Sequence, residues 1–271
     1  MLNVGSKLSG RTLPEDTFIV ATSGRCEYRN KGIDVFLDAA KRVRSLEPKK
    51  NLLLYILVPA WSKEPRTDLK DSLPEGSPAQ VLPEAAITHT LNNPDDDAVL
   101  NRMRQLGFTD KRNIEKVQVV YVPCYLNGND GIFNMTYYDM LAGMDLTAFP
   151  SYYEPWGYTP LESVAFGVPT VTTSLSGFGQ WVLTSGNNGF VKSGVDVIDR
   201  TDSNYGDVVE ALANDIVKLS ETAPETMALY SAAARDTASK AEWNYFITYY
   251  VDAYRIALAA ADKRRDEKIH S

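Results

Sequence analysis

Two carboxylates, Glu154 and Glu162, bracket a glycine-bearing loop with seven residues between them. An apolar run over residues 146–149 precedes the loop and reads as a short buried strand ended by Pro150. Thr159-Pro160-Leu161-Glu162 follows with the form of a helix start. Strand, glycine loop and helix N-terminus make a place where backbone N–H groups and the helix dipole meet an anion. An anion pocket flanked by hydroxyl-seeking carboxylates is what a sugar nucleotide requires. Arg25 and Lys31 stand in a second strand-to-helix loop, residues 23–32. Two cations there would neutralise a diphosphate and stabilise it as a leaving group.

Each of these residues also has an ordinary reading. Spacing alone favours Arg25 and Lys31 as solvated surface charges. Thr159 and Glu162 match the capping box, with Pro160 at the preferred first helical position, and on pattern alone the cap is the better reading. Glu154 has no such alternative: it precedes Pro155, which holds it extended and projecting from the loop. Tyr137 and Tyr138 offer a face for a nucleobase, worth about 1–3 kcal/mol per stacked base, although such a pair on a short helix is more often half-buried. Residues 172–179 read as a second small-residue loop behind a strand, close to a ligand or a simple turn.

Other chemistry finds little support. Asp95-Asp96-Asp97 contains an Asp-x-Asp, which could hold a divalent metal, but it directly precedes a helical face where acidic residues suit the dipole. His89 and His270 are the two histidines, which argues against histidine-based metal sites and Ser-His triads. Cys26 and Cys124 lie far apart in no metal or redox spacing. Asn134-Met135-Thr136 is a glycosylation sequon with no secretion signal to give it meaning. No metal and no cofactor is expected.

The elements that must position these residues follow from periodicity. Strands are expected over residues 17–22, 52–58, 117–122, 146–149 and 170–173, and helices over 32–46, 99–106, 136–143 and 159–167. Pro65, Pro74, Pro78, Pro83 and Pro94 interrupt any period between residues 62 and 94, which reads as a long surface excursion. From Tyr205 the pattern is helical, and from Ala241 it becomes rich in Trp and Tyr before Lys263-Arg264-Arg265-Asp266. So aromatic a terminal helix implies docking against something large. Alternating strands and helices mean an α/β fold, a Rossmann-like doubly wound parallel sheet, with ligands at the carboxyl ends of the strands. The loops after Thr22, Val122, Phe149 and Thr173 all fall at that edge.

A chain of 271 residues, 44% hydrophobic, is ample for one large domain. No apolar run is long enough to span a membrane and no signal peptide is visible, so a soluble, cytoplasmic protein is expected. The net charge of −7 argues against nucleic acid as a partner.

The string Tyr152-Tyr153-Glu154-Pro155-Trp156-Gly157-Tyr158-Thr159-Pro160, followed by Leu175-Ser176-Gly177-Phe178-Gly179, resembles the signature of glycogen synthases of the animal and fungal type, which also occur in some bacteria. Ser23-Gly24-Arg25 with Asn30-Lys31-Gly32 is similar to the same family's phosphate-binding loop. Asn92-Asn93-Pro94 and residues 125–131 are similar to bacterial members. The resemblance implies a retaining glycosyltransferase of the two-domain GT-B fold, with this chain as the C-terminal, nucleotide-binding half. It expects one domain over residues 1–271, its core at about 17–240. Residues 241–271 would form a terminal helix that packs on an N-terminal domain absent from this sequence. A piece cut from a longer protein is the expectation, rather than a natural half-protein.

By the same resemblance Arg25 and Lys31 contact the donor diphosphate, Glu154 lies beside the donor sugar, and Glu162 binds ribose hydroxyls instead of capping its helix. Tyr137 stacks on the base, and Gly157, Tyr158 and Thr159 offer N–H groups to sugar and phosphate. The complete enzyme would move glucose from UDP-glucose or ADP-glucose to the non-reducing end of an α-1,4-glucan, and the leaving phosphate would take the acceptor's proton. This chain alone is expected to be inactive, and a homo-oligomer is a further expectation. No arginine-rich helix of the kind that senses glucose 6-phosphate is matched. Two other readings remain: a non-catalytic nucleotide-binding module or subunit, and another retaining GT-B transferase such as a sucrose or starch synthase.

Overall fold

The computed structural model describes residues 1–74, 77, 82–110 and 116–269, with side chains to residue 265. Pro78 and His270 lie outside the described residues. The chain opens on α1 (Leu2–Ser9), which buries Val4 and Leu8. Next come β1 (Phe18–Ser23), α2 (Ile33–Ser45) and β2 (Leu52–Leu57), both strands buried along their whole length. Continuous burial, not alternation, marks a parallel strand covered on both faces.

The excursion expected to be irregular contains β3 (Ser62–Pro65), α3 (Thr67–Ser72) and β4 (His89–Leu91). Its prolines punctuate these short elements: Pro65 ends β3 and Pro74 stands just beyond α3. Next are α4 (Ala98–Gln105), whose N-terminus Asp97 caps by accepting from Leu100 N at 2.7 Å, and β5 (Val117–Val122). The reading of Asp97 as a helix-start residue is therefore the one found. Tyr121 N of β5 donates to Ala86 O at 2.7 Å and Tyr121 O accepts from Thr88 N at 3.1 Å, so the excursion covers an edge strand that would otherwise present unpaired groups. The buried Arg66 guanidinium holds it in place, donating to the carbonyls of Glu84 and, at 3.0 Å, Ile87.

The second half runs through α5 (Tyr137–Leu141), β6 (Leu146–Ala148), α6 (Tyr158–Ala165), β7 (Thr170–Thr173), α7 (Gly177–Thr184), α8 (Phe190–Ser193), β8 (Val195–Ile198), α9 (Tyr205–Ser220), α10 (Pro224–Lys240) and α11 (Trp243–Ile269). Residues 177–179, expected to belong to a loop, open α7: the Ser176 hydroxyl accepts from Gly179 N at 3.0 Å, and Phe178 and Val182 bury the inner face. The glycines at its start hid the helix from a reading by pattern. The elements α1, α8 and β8 likewise had no sequence expectation.

The main sheet has six strands in the order β5-β2-β1-β6-β7-β8, every neighbouring pair parallel. Numbered by chain position within this sheet, the order is 3-2-1-4-5-6, the doubly wound Rossmann arrangement. Alternate residues of each strand serve opposite layers. Val20, Leu54 and Val119 pack with Phe36, Val43, Leu212 and Ile216 beneath α2 and α9. Ile19, Leu53 and Val120 pack with Leu8, Met140 and Leu141 beneath α1 and α5. A third cluster, Val164, Phe178, Val182 and Ala234, ties α6, α7 and α10 together.

Candidate active site

In a doubly wound sheet the ligand crevice opens where the strand order reverses, outside the carboxyl ends of the two strands that flank the reversal. Here those strands are β1 and β6, which pair through Val20 with Leu146 and Ala21 with Thr147. The loop after β1 carries Arg25 and Lys31, and the loop after β6 carries Glu154. The two loops are pressed together. Gly32 has φ 69°, and a Cβ there would collide with Pro150 O. Tyr152 N donates to Asn30 O at 2.8 Å.

Lys31 and Glu154, read from separate motifs, form an ion pair through Nζ and Oε2, with 14% and 19% of their side chains exposed. The Glu154 backbone is pinned from the other side: its N–H donates to Leu175 O at 3.2 Å and its carbonyl accepts from Gly177 N at 3.0 Å. A third loop, after β7, therefore fixes the carboxylate. Arg25 is different. Its side chain is 77% exposed and pairs with Glu27 at 3.0 Å.

The start of α6 corrects the capping reading. Gly157 is the N-cap, with φ 109°, and no side chain caps the helix. Thr159 already lies inside it, so Pro160 is the third helical residue and not the first, the position assigned by pattern. The Glu162 carboxylate accepts from the Tyr138 hydroxyl at 2.9 Å and does not turn back on its own helix. The N–H groups of Gly157, Tyr158 and Thr159 precede the first bond of the helix, from Leu161 N to Gly157 O at 3.4 Å. Such groups at a helix N-terminus are unsatisfied by the helix itself and suit an anion.

Tyr137 is half-buried, its hydroxyl bonded to Ser23 Oγ at 2.8 Å, and burial pushes its pKa up to about 12. Tyr138 stacks flat on Phe166, with centroids 5.4 Å apart, and its hydrogen bond to Glu162 raises its pKa. One face of Tyr138 is thus already occupied. Arg25, Tyr137, Thr159 and Glu162 line a common pocket of about 390 Å³, together with Ser23 and Tyr125. Lys31 and Glu154 sit behind it: the Lys31 stem passes beneath Gly24, its Cδ 3.9 Å from where a Cβ on that glycine would stand. Tyr125, 76% exposed on the pocket wall, carried no role in the sequence reading. Its position just beyond β5, at the ligand-binding edge of the sheet, is the signal that would have singled it out.

Among the described residues, His89, Cys124 and Asp130 bring potential metal-ligand atoms within 4.8 Å of one another. Their polar atoms are engaged elsewhere. His89 Nε2 meets Asp130 O and Nδ1 meets Thr88 Oγ1, both at 2.9 Å. The Asp130 carboxylate accepts from the N–H groups of Ile132, Phe133 and Asn134. Burial pushes the Cys124 thiol up to about 12, far from thiolate. The group organises a loop.

Comparison with known proteins bears on the family and the fold. A family model described as glycogen synthase matches residues 76–269. The glycogen [starch] synthase of Neurospora crassa is 25% identical over 308 residues, covering 92% of this chain and 43% of that protein. Glycogen [starch] synthase isoform 1 of Saccharomyces cerevisiae is 26% identical over 263 residues, covering 74% and 37%. The chain thus spans less than half the length of these curated relatives. Among solved structures, the pneumococcal O-GlcNAc transferase GtfA in complex with UDP and GlcNAc is similar in fold, with a TM-score of 0.50 at 12% identity, covering 89% of this chain and 36% of that one. Sucrose-phosphate synthase from Thermosynechococcus elongatus gives a TM-score of 0.49 at 22% identity, covering 92% and 47%. With a Rossmann-like sheet, a cationic and carboxylate-lined crevice at its reversal point, and a family match over well more than half its length, the chain belongs to the glycogen synthase family.

Proposed function

We propose that this chain is the sugar-nucleotide-binding half of a glycogen synthase, which transfers glucose from UDP-glucose or ADP-glucose to the non-reducing end of an α-1,4-glucan with retention of configuration. The observation that carries the reading is the convergence of Lys31, Glu154 and the N-terminus of α6 at the reversal point between β1 and β6. In this reading the pocket beside them takes the nucleotide. Glu162 accepts from the ribose hydroxyls, and Tyr137 borders the base. Arg25 and the N–H groups of Gly157, Tyr158 and Thr159 meet the diphosphate. Lys31 exchanges part of its contact with Glu154 for a phosphate oxygen, which leaves Glu154 beside the sugar.

The bond from the anomeric carbon to the diphosphate breaks while that carbon bonds to the acceptor oxygen, and the acceptor's proton passes to the departing phosphate. The transition state has oxocarbenium character, as in glycoside cleavage generally. Cations and N–H groups aimed at the leaving group stabilise the charge that develops there. The acceptor side of the crevice belongs, in this reading, to a facing domain of the kind that the greater length of the relatives would hold, so the chain alone binds nucleotide without transferring glucose.

Calorimetric titration with UDP and with ADP tests the proposal. One diphosphate is expected to bind saturably, and Glu162→Ala to weaken it about tenfold, the loss of roughly one charge-assisted hydrogen bond. Equal binding by wild type and Glu162→Ala, or heat from neither nucleotide, would overturn it.

A further inference from the structure

On the other side of the same two loops lies a cavity of about 740 Å³, within the size range of small-molecule sites. Its walls come from five places in the chain: the loop before α2 (Tyr28), the first turns of α2 (Asp34, Asp38), one face of α4 from Ala98 to Gln105, the loop after β6 (Tyr152), and the segment after β8 with the start of α9 (Arg200, Tyr205). None of the chemistry described above uses these side chains.

Two ligand classes fit the lining less well than a third. Ala98 is its one aliphatic side chain among the described residues, so an apolar ligand would gain little. Asp34 and Asp38 both face the space, and a phosphate placed there would meet them. Two of the three lining arginines are directed at those carboxylates: Arg102 donates to Asp38 Oδ1 at 2.9 and 2.6 Å, and Arg200 faces Asp34, whereas Arg29 is exposed. Tyrosine rings alternating with carboxylates, guanidinium groups and the amides of Asn101 and Gln105 match instead a ligand with many hydroxyls and apolar ring faces, a neutral sugar.

Arg200 adds an independent sign. The residue is only 5% exposed, yet the one hydrogen bond of its side chain among the described residues runs from Nη1 to Pro150 O. Its guanidinium sits 5.3 Å from the Tyr152 ring centroid and borders the cavity. Its other N–H groups face the open cavity, where sugar hydroxyls would supply acceptors. Asp34 accepts from Val35 N at the start of its own helix and, among the described residues, from no side-chain donor.

We propose that this cavity is a second carbohydrate site, which holds a short neutral stretch of the glucan beside the donor pocket. The identity of the glucan rests on the proposed function, whereas the sugar chemistry of the cavity rests on its own lining. Both sites share the loops after β1 and β6, since Tyr28 precedes Lys31 on one and Tyr152 precedes Glu154 on the other. A chain anchored here would stay near the reaction edge between successive additions.

The test is calorimetric titration of the chain with maltotetraose, for the wild type, Tyr152→Ala and Ala98→Trp. The last substitution fills the cavity from an exposed helix start and leaves the core untouched. Saturable binding, at least tenfold weaker in both variants and undiminished by excess inorganic phosphate, is the expected result. Absence of saturable binding, equal affinity in Ala98→Trp, or displacement by phosphate would each overturn the proposal. UDP and ADP titrated into the same samples separate the two readings. Nucleotide binding without maltotetraose binding removes only the second site, and the reverse removes the donor reading while leaving the second site standing.

Discussion

Lys31 and Glu154 are 123 residues apart and belong to different motifs, yet each is the other's charge partner. Neither was legible as a pair, because an ion pair between loops is set by how closely two strand ends approach. The pairing also explains how the crevice tolerates a partly buried lysine, since withdrawing an uncompensated charge from water costs several kcal/mol. In the complete enzyme Lys31→Ala or Arg25→Ala is expected to lower turnover by about 10²–10³, as for other preorganised groups that stabilise a leaving anion. A near-normal rate for Arg25→Ala in a full-length enzyme would contradict that role. Glu162 shows the limit of pattern reading at this scale. Its capping-box spacing was real, but the helix begins two residues earlier, at Tyr158, which carries the carboxylate round to the Tyr138 hydroxyl.

Among elements, the crevice depends on two strand-end loops packing without side chains between them. Gly32→Ala would place a Cβ against Pro150 O in a left-handed conformation, and a loss of about 3 kcal/mol or more is expected, read as a lower urea midpoint. The pair β8 and α9 carries a different liability. Burial, and next the charge of Asp196, push the Asp215 carboxyl up to about 8, and its Oδ2 is buried without a hydrogen-bond partner. A carboxyl whose folded pKa is raised favours the protonated folded state. Its contribution is full below the unfolded value near 3.8 and is lost as pH rises toward about 8. Asp215→Asn should therefore match the wild type near pH 4 and exceed it near pH 9 in thermal midpoint. A difference that does not change with pH would contradict the assignment.

Across the whole molecule the long helix α11 stands out. Phe246 anchors its start between Trp156 and Trp181, at 5.1 and 5.9 Å between centroids. Beyond that anchor Tyr254, Ile256 and Leu258 are each more than 60% exposed. Apolar surface of this kind on one helix seeks a partner. The isolated chain is expected to self-associate as its concentration rises in sedimentation, and Ile256→Lys with Leu258→Glu to reduce that association. Strictly monomeric sedimentation at high concentration would contradict it.

The buried strands, the α/β class and the loops at the carboxyl edge were written in local order: β-branched runs bounded by glycine and proline, and helical spacing between them. So was the family, because its signature is one contiguous string from Tyr152 to Pro160. Periodicity could not reach α7, whose glycine-rich start imitates a turn, nor the short α8 and β8, whose existence depends on burial against α10 and β7. The strand order, the Lys31–Glu154 pair, the Tyr138 bond to Glu162 and the cavity around Arg200 were decided by tertiary structure. Each joins residues distant along the chain, and only the packing of a twisted parallel sheet beneath its helices brings those residues within a few ångströms of one another.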